Sequence, residues 1–142
     1  PANLAAVRTT LAASDTEKGT IEYAVQSEME AGSSTTLAVT PGRQHYHPSA
    51  AKGWCFFDTS GGATVSYNVA SVTDVGTGEA TINWATDFSS ANFCAVCTPL
   101  AGPMAAMTNN GNTAGTSTTR NYNQAGVLTD NSGGYIVAFG DQ

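Results

Sequence analysis

His45 and His47 flank Tyr46 and are the only two histidines in the chain. In an extended segment, residues two apart share a face, so both imidazoles project the same way. Such a pair can ligate Fe, Ni, Cu or Zn. The plainer alternative is that His47 caps a turn before Pro48 while His45 packs at a boundary. Cys94-Ala-Val-Cys97 has the spacing of a reactive thiol pair, but it lies within the apolar run NFCAVC, which reads as a strand. Strand side chains alternate faces, so the two thiols point to opposite sides. With Cys55 the count is odd, and all three read as buried free thiols, small hydrophobes that need no oxidising compartment.

Other chemistry is sparse. Ser, His and Asp occur without a nucleophile-elbow motif, and the chain has neither the length nor the repeats of a β-helix carrying paired carboxylates. Asp58, Asp74, Asp87 and Asp130 adjoin Gly, Ser, Thr or Asn and read as turn formers. Gly76-Thr-Gly78 lies between strands rather than before a helix, so it is no phosphate loop. The expectation is therefore a protein that is not an enzyme. Trp54, Trp84, Tyr67, Phe56, Phe57 and Phe93 fall mostly on the apolar phase of strands, which places them in the core. Tyr122, between Asn121 and Asn123, is the better exposed aromatic. With Asn109, Asn110, Asn112 and Arg120 it forms a candidate receptor or glycan contact, the ring stacking on a sugar face while the polar groups bond hydroxyls.

The elements that position these residues fall into two parts. Leu4, Val7 and Leu11 have helical spacing, predicting a short helix over 3–13. Ile21, Tyr23 and Val25 then alternate with Glu22 and Ala24 as in a half-buried strand. Ser27 with Glu30 resembles a capping box, predicting one helical turn over 28–31 that ends at Gly32. Thr36 to Val39 extends again, and Thr40-Pro41 opens another short helix. Ile21, Tyr23, Val25, Leu37 and Val39 present an apolar face that so short a segment cannot cover. Chains this small need disulfides, metals or oligomerisation, and burial against other copies is the simplest answer. After HYHPSAA, strands are predicted at 53–58, 64–72, 79–86, 92–97 and 134–140, the pattern of an antiparallel sandwich or meander. The stretch from Gly102 to Gly134 reads as long loops around one or two weak strands near Arg120 to Leu128.

Composition narrows the function classes. Only 11% of the 142 residues are charged, against roughly 25% in ordinary soluble domains; Gly, Ser, Thr, Asn and Ala fill the difference. Residues 1–58 hold ten of the sixteen charges. A net charge of −6 with five scattered basic residues argues against a nucleic-acid partner, which requires clustered Lys and Arg. No apolar run reaches the ~20 residues of a membrane span, and the start at Pro1 does not read as a signal peptide. Pro1 itself fits either removal of Met or a piece of a longer chain.

Two stretches carry a resemblance. KGTIEYAVQSEMEAGSSTTLAVTP (18–41) resembles the repeat of shafts and collars in tailed-bacteriophage fibres. HPSAAKGW (47–54) followed by SYNVASVTDVGTGEATINWAT (66–86) is similar to a segment of phage tail-fibre and related virion proteins. Together they cover about half the chain, and nothing from Met104 onward matches. The resemblance implies a mainly β protein with a small intertwined trimeric stem (1–46) followed by an antiparallel β-sandwich-like C-terminal domain (47–142). It implies a homotrimer located on the virion, with other virion structural proteins as partners and a host surface glycan or protein as possible target. Around a three-fold axis, His45 and His47 from three copies would offer six nitrogens, enough for an octahedral Fe or Ni site, with Zn the other candidate. The rival readings are a capsid fibre or tail adaptor, and a carbohydrate-binding or depolymerising module.

Overall fold

The computed structural model describes residues 21–58, 60–100, 104–130 and 132–142. The chain divides into two units, Pro1–His47 and Pro48–Gln142. The helix expected over 3–13 lies outside the described residues.

In the first unit, Ile21 to Val25 does not build the expected strand. Tyr23 makes one parallel bridge with Ala38; Ala24 N–H donates to Ala38 O at 2.9 Å and Ala38 N–H to Glu22 O at 2.8 Å. Alternation alone makes no strand, because a strand needs a neighbour along its length. Helix α1, Gln26–Ala31, begins earlier than the Ser27 cap predicted. Val25 holds the cap position, and its N–H donates to Glu28 Oε2 at 2.8 Å. The other half of the predicted box, Glu30, accepts from the Gln26 side chain instead. Gly32 ends the helix in a left-handed conformation, φ 61°, and its N–H donates to Glu28 O. Glycine suits that position because it has no Cβ to clash. Helix α2, Pro41–Gln44, follows Thr40 as expected. Among the described residues of this unit, Ala24 and Met29 are the buried apolar ones.

The described residues of the second unit form eight strands: β1 Gly53–Phe57, β2 Ala63–Tyr67, β3 Val69–Gly76, β4 Glu79–Trp84, β5 Cys94–Pro99, β6 Met104–Thr113, β7 Thr116–Asn123 and β8 Gly134–Phe139. They form two four-stranded sheets, ordered β2-β1-β8-β5 and β3-β4-β7-β6, and every pairing is antiparallel. One apolar cluster joins them. Cys55 and Phe57 of β1 with Ile136 and Ala138 of β8 meet Val72 of β3 and Ala80, Ile82 and Trp84 of β4. Phe88 and Phe93 stack at 3.8 Å between ring centroids, and each meets Trp84 edge-on. The mainly β, sandwich-like expectation therefore holds.

Two expectations are corrected here. The strand predicted over 64–72 is two strands in different sheets, broken at Asn68, whose φ is 56°. Asparagine tolerates that left-handed geometry because its short amide bonds locally. Its Nδ2 donates to Lys52 O at 2.9 Å, and its Oδ1 accepts from Thr86 N–H at 2.8 Å. The long loops expected between Gly102 and Gly134 are instead mostly the β6–β7 hairpin. Its Thr, Asn and Ser content hid it, because β7 turns polar side chains into the sandwich. Ser117, Thr119 and Asn121 are all buried, alternating with the outward Thr118 and Arg120.

Candidate functional site

The predicted histidine pair sits on a helical turn rather than an extended segment. His45 has φ −57° and ψ −32°, Tyr46 N–H donates to Arg43 O, and His47 N–H to Gln44 O. Residues two apart on such a turn diverge by about 200°, which corrects the shared-face geometry. His47 lines a cleft of about 200 Å³ with Glu28, Met29, Leu37 and Val39. Among the described residues, no group of three or more His, Cys, Asp or Glu is placed to hold a metal ion.

Four of the five candidate contact residues meet in pairs, Asn109 with Asn112 and Arg120 with Tyr122. Asn112 turns inward and accepts from Ser117 Oγ–H at 2.9 Å and from Asn109 Nδ2 at 2.8 Å. Its own amide donates to Phe93 O at 3.2 Å. Trp84 Nε1–H reaches Ser117 Oγ at 3.3 Å, so this network ties the aromatic cluster to the hairpin. Arg120 Nε–H donates to Glu79 across the β4–β7 pair. Glu79 first, then Tyr122, holds the guanidinium above its ordinary pKa. Tyr122 is half-buried at the end of β7 and bridges to Leu128; Asn110 stays exposed.

Asp58 and Asp74 take the expected local turn roles, whereas Asp130 bonds to a residue distant in sequence. Asp58 Oδ1 accepts from Ser60 N–H at 2.9 Å and Gly62 N–H at 3.1 Å. Asp74 accepts from Gly76 N–H and Asp130 from Gly78 N–H. Of the three thiols expected to be buried only Cys55 is; Cys97 is half-buried and Cys94 exposed, because they lie on opposite faces of β5 and Cys94 takes the outward one. Burial pushes the Cys55 thiol up to about 12 and raises Cys97 as well.

The outward faces of the two sheets differ in kind. On the β3-β4-β7-β6 sheet the face is polar: Asn83 Nδ2 donates to Ser71 Oγ and Thr73 Oγ1, both at 3.0 Å, and Thr81 pairs with Thr118 at 3.0 Å. On the β2-β1-β8-β5 sheet it is apolar. Strand register aligns Tyr67, Trp54, Val137 and Val96 in one cross-strand row, and Val65, Phe56, Tyr135 and Thr98 in the next. Trp54, Tyr67, Tyr135, Val65 and Val96 remain 41–56% exposed.

No family model, curated protein or solved structure matches the chain.

This apolar face is the surface that reasoning from sequence missed. Trp54, Phe56 and Tyr67 were expected in the core, yet β1 is apolar on both phases. Gly53, Cys55 and Phe57 are the residues that turn inward. At the inward position of Gly53 there is no room for a side chain, since a Cβ there would lie 2.6 Å from the Trp84 ring. The available signal was the double apolar phase itself, since a strand with one wet face alternates. The first unit has its own uncovered residues: Ile21, Tyr23, Val25 and Val39 are 47–63% exposed, while Leu37 is half-buried. Among the described residues no helix is long and apolar enough to cross a membrane.

Proposed function

We propose that the chain is a non-enzymatic structural module of a phage virion, a homotrimeric tail-fibre or related fibre component. In this reading the first unit is the assembling stem. The second is the distal domain, whose polar side contacts the host surface. The observation that carries the reading is the uncovered apolar set Ile21, Tyr23, Val25 and Val39. Among the described residues of that unit few are buried, so it gains most of its apolar burial from neighbouring copies. The resemblance of 18–41 and of 47–54 with 66–86 to fibre proteins supplies the trimer and the virion. The non-enzymatic part is supported by Asp58, Asp74 and Asp130, whose carboxylates are engaged with backbone N–H groups in turns.

Light scattering on the purified chain tests the assembly. A trimer is expected, and changing Ile21 and Tyr23 together to Asp should dissociate it, because charge would then enter a dry contact. A folded monomer at micromolar concentration sinks the reading. Attachment to host cells tests the address: loss of binding when the exposed β6–β7 residues are exchanged supports a distal receptor role. Unchanged binding leaves only the structural one.

A further inference from the structure

We propose that the outward face of the β2-β1-β8-β5 sheet is an interface, covered by the same face of other copies of this chain. The inference depends on the fibre reading only for the number of copies.

The face is continuous across all four strands. Each row places one side chain per strand, Tyr67–Trp54–Val137–Val96 and Val65–Phe56–Tyr135–Thr98. None of these eight residues is charged, although the chain carries a net −6. A partner chosen by charge, whether nucleic acid, an anionic headgroup or a basic peptide, finds nothing here to pair with. Two copies brought face to face place no like charges in the contact. Permanent contacts between identical chains are more apolar than transient ones, and this face has that character.

The area is also sufficient. Aromatic side chains offer on the order of 200 Å² each. At the observed exposures of Trp54, Tyr67, Tyr135, Val65 and Val96, the face presents about 500 Å² per copy. Two copies together then remove about 1,000 Å² from water, the floor for a specific interface. A patch of this size is at the upper end of what a monomer leaves in water, and the largest such patch on a protein is often functional. In a trimer, the three faces turn toward the axis and each meets both neighbours. The opposite sheet, with its Asn83–Ser71–Thr73 and Thr81–Thr118 bonds, is left outside.

The test compares three full-length chains by light scattering across a dilution series: wild type, Val96→Lys with Tyr135→Lys, and the control Thr81→Lys with Thr118→Lys. Wild type and control should assemble alike. The face variant should stay folded by circular dichroism and associate roughly a hundredfold more weakly, since each ammonium would be trapped unpaired in a dry contact. A face variant that assembles as wild type does overturns the inference while leaving a trimeric stem standing. A wild-type dimer dissociated by the face variant removes the trimer but keeps the interface. A monomeric wild type overturns both. Should the face variant fail to fold, the wild-type Cys94 thiol serves instead, because it lies on this face opposite Phe139. Slow maleimide labelling that becomes fast on dilution supports the interface; labelling at the rate of a free thiol at every concentration overturns it.

Discussion

Phe56 of β1 and Tyr135 of β8 are register partners whose rings lie 5.1 Å apart at 38°, on the outside of the sandwich rather than within it. An aromatic pair of this kind contributes about 1 kcal/mol beyond its buried area, and most when water is excluded. If copies cover it, stability must depend on protein concentration, since association favours the folded state by mass action. The melting temperature of wild type should therefore rise with concentration. Phe56→Ala should lower the melting temperature and flatten that rise. Calorimetry on a concentration series decides it, and a concentration-independent wild type counts against any covering of this face.

The polar network under the hairpin gives a second prediction. Asn112 accepts from Ser117 and Asn109 and donates to Phe93 O. Asn112→Ala strips partners from three groups at once, one of them the hydroxyl of the fully buried Ser117. The expected cost is about 2–3 kcal/mol in urea unfolding. Asn110→Ala, at an exposed neighbour, should cost under about 0.5 kcal/mol.

Gly53 is a packing limit. With a Cβ 2.6 Å from the buried Trp84 ring, Gly53→Ala must displace either the indole or strand β1. A loss of about 1–3 kcal/mol is expected, with a changed near-ultraviolet signal from Trp84. Gly42→Ala has open space at the same distance and should show neither change.

Asp58 links stability to pH. Its pKa is held below the ordinary 3.8, first by the Ser60 hydroxyl and then by the Gly62 N–H. A carboxylate depressed in the folded state contributes stability that is complete above its unfolded pKa. That contribution is lost as pH falls through the folded value. Acid unfolding of wild type should steepen below about pH 4, and Asp58→Asn should shallow that slope, being less stable than wild type near neutrality and converging with it in acid. Circular dichroism melts over an acid series measure it, and equal slopes in both chains would show that the turn does not hold the charge.

Much of the architecture was legible because local chemistry and tertiary context agreed. β4 alternates Ala80, Ile82 and Trp84 with Thr81 and Asn83, so one face had to be wet, and it is. Gly32 and Pro41 set the end of α1 and the start of α2 through backbone constraints that act within a turn. The CxxC spacing in β5 resolved correctly for the same reason, since alternation is a local property of a strand.

What the chain alone could not reveal depends on partners distant in sequence. The β7 strand looked like a loop because its inward residues, Ser117, Thr119 and Asn121, are polar, and Trp84, Ala80 and Gly78, all distant in sequence, take part in their hydrogen bonds. Asn68 looked like one more polar position in a strand until Lys52 and Thr86 held it in a left-handed turn between two sheets. The histidine pair looked extended until α2 carried its helical hydrogen bonding into residues 45–47. Apolar content determined that β1 would be buried on at least one side. Which side became the core, leaving Trp54 and Phe56 outward beside Tyr67 and Tyr135, was decided when Gly53 let Trp84 pack against the backbone.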